Sequence, residues 1–207
     1  DGLGAAFIAG FIHKENKNPE AYATLSRYAA LSRSMALFFR KIINSICKKE
    51  LPEGIKPFYL FEDKDGEPRK IHVVYSGGDD LFLVGAWDDL MGFVVDLKRA
   101  FSIYTNGKLT FSAGLGLYYS TYPISRMAEV TGELEELAKS NPGKNSIALF
   151  GSGTEYHRNE KNGGTAEKEN AAVYTWDEFI EKVHGEKIKF LMEHMLLDGI
   201  NGNSKRN

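Results

Sequence analysis

The sequence predicts an α+β fold: a mainly antiparallel sheet with helices packed on one face. Three observations carry this. Two adjacent apolar runs, Ile71–Tyr75 and Leu81–Val84, flank the short polar stretch Ser76-Gly77-Gly78-Asp79-Asp80 and read as a β-hairpin. Long segments before and after it show apolar residues at helical spacing. The element order to about residue 150 is helix, helix, strand, hairpin, helix, strand, helix, strand, which suggests helices packed on a mainly antiparallel sheet.

In chain order, a short apolar, helix-compatible segment spans Ala5–Ile12. Pro19-Glu20 open a longer helix to about Lys48, on which Leu25, Tyr28, Ala29, Leu31, Met35, Leu37, Phe38 and Phe39 recur at helical spacing. Pro52 and Gly54 follow its end. Phe58–Phe61 reads as a strand, joined to Ile71–Tyr75 through a hydrophilic Asp-Gly turn. Asp88-Asp89 precede a helix to about Ala100, because acidic side chains favour a helix N-terminus. Leu109–Tyr119 reads as a strand, Pro123–Lys139 as a helix and Asn145–Phe150 as an apolar strand. From Gly151 to Asn170 the chain is rich in Gly, Asn, Glu and Lys without a hydrophobic period, a loop or linker. Trp176 to about Leu197 is again helical. The expected division is a domain over 1–150, a mobile linker over 151–172, and a last strand with the start of a helical region over 173–207.

Bulk properties exclude several functions. The net charge is -2, so no global basic field holds nucleic acid. No apolar run reaches membrane-spanning length, which predicts no membrane partner. The single cysteine, Cys47, permits no internal disulfide and reads as a small core residue, which fits a reducing cytoplasm. Asp63-Lys64-Asp65-Gly66 resembles the start of a calcium loop, but Val74 stands where the closing glutamate belongs. His184 and His194 read as helix-surface residues. The chain opens on Asp1-Gly2-Leu3-Gly4 with no methionine, which suggests a piece of a longer protein.

The chemistry concentrates in the hairpin. Gly77 and Gly78 allow a tight turn and a close approach of phosphate to the backbone. Asp79 and Asp80 place adjacent carboxylates at its tip, and hard cations take one or two carboxylates together with substrate phosphates. From these residues alone two readings stand open: a metal-and-triphosphate site, or a solvated hairpin turn.

Tyr75-Ser76-Gly77-Gly78-Asp79-Asp80-Leu81-Phe82-Leu83-Val84-Gly85-Ala86-Trp87 closely resembles the signature of the large polymerase-like subunit of type III-A (Csm) CRISPR effector complexes. The resemblance extends in order through Asp1-Gly2-Leu3-Gly4, Leu31-Ser32-Arg33, Ser112–Tyr118, Tyr122-Pro123-Ile124-Ser125, Pro142-Gly143-Lys144-Asn145 and Tyr174-Thr175-Trp176-Asp177. It implies a palm fold of the nucleotidyl-cyclase type that polymerises ATP into cyclic oligoadenylates when the complex holds target RNA. It further implies Mg²⁺ or Mn²⁺ on Asp79 and Asp80, and nucleotide beside Ser76, Gly77 and Gly78. Lys144 falls where a basic residue reaches phosphate, and Ser32 near a base-contacting position. Asp1 matches the second member of an Asp-x-Asp pair whose first would lie upstream. The partners so implied are the other effector subunits, guide and target RNA, and a second, facing palm domain in the parent chain. An N-terminal HD nuclease domain, often present in the family, is not in these residues. With the facing palm absent, the segment alone is expected to be inactive. Two alternatives are a structural palm without turnover and a diguanylate cyclase. The latter fits less well, because that family has Glu-Glu or Asp-Glu where Asp79-Asp80 stand.

Overall fold

The computed structural model describes residues 24–60, 67–77, 80–150 and 172–191. The chain divides into two compact units, Asp1–Leu109 and Thr110–Asn207. The expected helix over Ala5–Ile12, the Asp-Gly turn, residues 151–171 of the linker and the expected helix beyond residue 191 lie outside the described residues.

The first unit begins with helix α1, Leu25–Cys47, capped by the Thr24 side chain. Met35, Phe38, Phe39, Ile43 and Ile46 are its buried stripe. Strands β1, Ile71–Gly77, and β2, Asp80–Gly85, form an antiparallel pair. Helix α2, Trp87–Tyr104, follows with Asp88 and Asp89 in its first turn. Phe38 meets Phe101 edge-on at 5.5 Å and Tyr104 at 4.7 Å, and the Tyr104 hydroxyl donates to the Ser34 carbonyl at 3.1 Å. Residues 34, 38 and 46 of α1 thus meet successively earlier parts of α2 and its supports, so the two helices run antiparallel. The early turns of α1 extend past the end of α2. Leu25 is 84% exposed there, and the apolar spacing at Leu25, Tyr28 and Ala29 does not become core within this unit.

Phe58–Leu60 is not a strand, which corrects the sequence reading. Its backbone is satisfied by side chains instead of a neighbouring strand. The Phe58 amide donates to both Asp96 carboxylate oxygens at 3.0 Å, and the Phe58 carbonyl accepts from Arg69 at 3.0 Å. Arg69 also donates to the Ile46 carbonyl at 2.9 Å and pairs with Asp96 at 2.6 Å. This buried knot ties the end of α1, the 57–69 segment and the middle of α2 together immediately before β1. Burial pushes the Asp96 carboxyl above its ordinary range, while hydrogen bonds from Arg69 and Phe58 pull it back. Gly92 makes the approach possible, since a methyl there would lie 2.7 Å from the Phe58 carbonyl.

The second unit contains β3, Ala113–Leu115; helix α3, Ile124–Ser140; β4, Ser146–Leu149; and β5, Ala172–Thr175. Its sheet order is β3-β4-β5. β4 pairs antiparallel with β5 but parallel with β3, so the sheet is mixed. A parallel pair needs a crossover, and α3 supplies it. The expected strand over Leu109–Tyr119 pairs only at 113–115. Gly114 lets β3 lie directly on α3: a methyl there would meet the Thr131 carbonyl and the Glu135 amide, each at 2.6 Å. Leu134, Ala138 and Ala148 form the core beneath, with Val173 packed against it.

The last helical run, α4, covers residues 176–191. It is α-helical at Trp176–Glu178, winds more widely with π spacing through Phe179–Ile188, and returns to α at Lys189–Leu191. Thr175 and Glu178 close a capping box at its start. Trp176 is fully buried, donates from its indole to the Phe111 carbonyl at 2.9 Å and meets the Phe111 ring edge-on. His184 is partly exposed on this helix and His194 lies outside the described residues, while Cys47 is half-buried with its thiol pushed up by burial.

Candidate nucleotide and metal site

The hairpin register fixes the geometry of the site. Gly77 pairs with Asp80, Ser76 with Leu81 and Tyr75 with Phe82. Only residues 78 and 79 connect the strands, the shortest common hairpin connection. Asp80 is therefore the first residue of β2, with an exposed side chain directly across from Gly77. Gly78 and Asp79 lie outside the described residues, as does Asp1. Ser76 is exposed at the end of β1.

The base of the hairpin is clamped to α2. The Ala86 amide donates to the Lys70 carbonyl at 3.0 Å, and the Lys70 amide donates to the Asp89 carboxylate at 2.9 Å. Gly85 is required at this clamp, because a methyl there would clash with the Lys70 carbonyl and lie 2.9 Å from the Ile71 Cα. Asp89 thus does more than favour a helix N-terminus. It joins the first turn of α2 to the residue that opens β1.

Ser32 is exposed on the early part of α1. Lys144 belongs to the second unit and leaves the turn Asn141-Pro142-Gly143-Lys144. The Lys144 amide donates to the Asn141 carbonyl at 3.0 Å, and Gly143 has φ +89°, as a type II turn with Pro and Gly in the middle demands. Lys144 itself has φ +48°, a left-handed conformation that costs a non-glycine residue about 1–2 kcal/mol. The Ser112 hydroxyl donates to its carbonyl at 2.7 Å and holds that conformation, and the side chain stays exposed. Its charge helps draw the Glu136 carboxyl below the usual range, although the Lys139 hydrogen bond is the larger cause.

Among the described residues no three His, Cys, Asp or Glu side chains gather into a metal-binding group. Asp80 is the described member of the adjacent carboxylate pair. An exposed carboxylate beside a bare glycine backbone suits a hard cation that completes its shell with water and phosphate oxygens. The donor chemistry therefore fits Mg²⁺ or Mn²⁺.

Residues 1–148 match the family described as Cas10/Cmr2, second palm domain. The chain belongs to this family. The palm domain is 39% identical over 206 residues to the CRISPR system single-strand-specific deoxyribonuclease Cas10/Csm1 (subtype III-A) of Mycobacterium tuberculosis (strain ATCC 25618 / H37Rv), a match covering 100% of this chain and 22% of that protein. It is similar to the solved Csm1-Csm4 cassette in complex with one ATP, at TM-score 0.59 and 31% identity, covering 86% of this chain and 23% of that one. It is also similar to the cassette in complex with cA3, at TM-score 0.60 and 31% identity, covering 80% of this chain and 22% of that one. The chain spans about a fifth of the length of the curated relatives it matches. The α+β palm architecture expected from the sequence is the one observed. No helix among the described residues is long and apolar enough to cross a membrane.

Sequence reasoning overlooked Arg69 and Asp96, which support the site without belonging to it. The available signal was Asp96 itself, a carboxylate inside the apolar run Phe93-Val94-Val95-Asp96-Leu97. A charge there implies a buried partner.

Proposed function

We propose that this palm domain binds ATP at the Gly77–Asp80 hairpin and, within its parent protein, polymerises it into cyclic oligoadenylates. The observation that carries the reading is the Gly77–Asp80 pairing, which puts a carboxylate and a bare glycine backbone side by side at the end of a hairpin. Support comes from the similar Csm1-Csm4 cassettes, whose complexes with one ATP and with cA3 correspond to a substrate and a closed product.

In this reading the 3′-hydroxyl oxygen of one ATP, or of a growing chain, attacks the α-phosphorus of another ATP. A phosphorus–oxygen bond forms, the bond to the β-phosphate breaks and pyrophosphate leaves, while the hydroxyl proton passes to solvent. Closing the ring repeats the step within one chain. No protein nucleophile is needed. Asp79 and Asp80 would hold Mg²⁺ or Mn²⁺, with Asp1 as a further ligand. The metal supplies charge neutralisation on the triphosphate and a lowered pKa for the attacking hydroxyl. Ser76, Gly77 and Gly78 line the nucleotide, Lys144 offsets phosphate charge and Ser32 lies toward the base. Guide and target RNA, a Csm4-type subunit and a facing palm are the proposed partners. The relatives are named for a single-strand-specific deoxyribonuclease activity, and we propose no part in it for this hairpin.

The test is mass spectrometry of products made from ATP by the parent protein, assembled with guide and target RNA, beside an Asp79→Ala/Asp80→Ala variant. Cyclic oligoadenylates from the parent alone support the reading. Product from GTP in preference to ATP would favour the diguanylate-cyclase alternative.

A further inference from the structure

Strand β1 contains one irregularity close to the site. Val73 pairs with Leu83 and Tyr75 with Phe82, so Val74 has no counterpart on β2. An extra residue of this kind is a β-bulge, which re-aims the side chains that follow it. Residues directly opposite one another share a face of the sheet, as do residues two apart along a strand. Phe82 and Asp80 are two apart, and they face Tyr75 and Gly77. These four positions therefore lie on one face, with Ser76 and Leu81 on the other. In an unbulged strand Tyr75 would share the face of Val73. The extra residue moves it to the face of Asp80.

The Tyr75 phenol reaches over Gly77. A methyl added at Gly77 would lie 2.5 Å from the Tyr75 hydroxyl oxygen and 2.8 Å from the ring carbon that bears it. Position 77 thus accommodates the phenol because it carries no side chain. Tyr75 is nevertheless 55% exposed, and its hydroxyl has no hydrogen-bond partner among the described residues. A tyrosine placed to satisfy the fold would bury its ring or bond its hydroxyl to protein. Among the described residues this hydroxyl has no acceptor, and it stands beside the bare Gly77 backbone on the face of Asp80.

We propose that Tyr75 is a further substrate-binding residue, whose hydroxyl donates a hydrogen bond to a non-bridging phosphate oxygen of the nucleoside triphosphate at the hairpin end. The inference rests on the reading of the hairpin as a nucleotide and metal site. It assigns the bulge a purpose: Val74 is the spacer that brings a phosphate donor to the side of Asp80. It also gives Gly77 a second role, clearance for the phenol in addition to access for phosphate.

The test uses the assembled parent protein and compares Tyr75→Phe, which removes one oxygen and keeps the ring, with the parent and with Asp79→Ala/Asp80→Ala. Equilibrium binding of ATP with Mg²⁺, binding of adenosine, and thermal unfolding are measured for each. A lost hydrogen bond to a charged phosphate predicts an ATP Kd raised about tenfold in Tyr75→Phe, with adenosine binding and unfolding unchanged. Unchanged ATP binding in Tyr75→Phe, while the aspartate variant loses it, overturns the role of Tyr75 and leaves the site standing. Equal losses for ATP and adenosine overturn the phosphate assignment. ATP binding that survives loss of both aspartates, or that is absent from the parent, overturns the reading of the hairpin and the Tyr75 proposal with it.

Discussion

Truncating Asp96 to alanine is expected to destabilise the first unit by about 3–5 kcal/mol, the range for breaking a buried ion pair by removing one partner. Arg69 is 5% exposed and Asp96 fully buried, so neither charge can turn to water. In Asp96→Ala the guanidinium keeps its bonds to the Ile46 and Phe58 carbonyls but loses the carboxylate 2.6 Å away. The Phe58 amide, which donates to both Asp96 oxygens, loses its acceptor as well. An unsatisfied buried donor alone costs about 1–3 kcal/mol. The assay is urea denaturation read from Trp87, with Trp176 replaced by Phe in every variant so that a single tryptophan reports. With a urea slope of about 1–3 kcal/mol/M, the midpoint should fall by about 1–5 M. An Arg69→Met/Asp96→Leu double variant removes both charges together and should recover part of the loss: it leaves no lone buried charge, although the Phe58 amide and the Ile46 and Phe58 carbonyls stay without these side-chain partners. A single variant within about 1 kcal/mol of the parent, or a double variant no better than the single, would refute the argument that this pair ties the 57–69 segment to the two helices.

Two further outcomes follow from local geometry. Lys144→Gly relieves a left-handed backbone, so stability should stay within about 1 kcal/mol of the parent or rise slightly, while ATP affinity of the assembled parent protein falls several-fold; unchanged ATP affinity would remove Lys144 from the site. Glu178 accepts from the Thr175 amide and hydroxyl, which hold its carboxyl below the usual glutamate range. A depressed carboxyl stabilises the fold above its unfolded pKa, and that contribution is lost as pH falls through the folded value. Hydrogen-exchange protection at residues 176–179 should therefore drop on acidification and show less pH dependence in Glu178→Gln; identical profiles for the two proteins would contradict the role of the capping box.

The sequence made the helices and the hairpin legible for different reasons. The stripe Met35, Phe38, Phe39, Ile43 and Ile46 repeats at helical spacing, so the burial of α1 follows from periodicity. Gly77-Gly78-Asp79-Asp80 stands out because glycines and paired carboxylates between apolar strands are chemically unusual. Phe58–Leu60 reads as a strand in sequence because an apolar run looks the same whether its backbone bonds to a strand or to the side chains of Asp96 and Arg69. Pairing with residues about 40 and 10 positions away leaves no local trace. The Val74 bulge was equally hidden, since register depends on the partner strand and not on the sequence of β1 alone. The parallel pairing of β3 with β4 escaped for the same reason, and Gly114 shows its purpose only against the backbone of α3.

The account turns on whether the aspartates of the hairpin support ATP polymerisation. The measurement that decides it is product mass spectrometry on the parent complex, supplied with guide RNA, target RNA, ATP and Mg²⁺, beside its Asp79→Ala/Asp80→Ala counterpart. The account predicts cyclic oligoadenylates from the parent and none from the variant, with RNA binding retained by both. If neither protein makes product while both still bind RNA, or if the variant matches the parent, the hairpin is a structural turn and the proposed function is wrong.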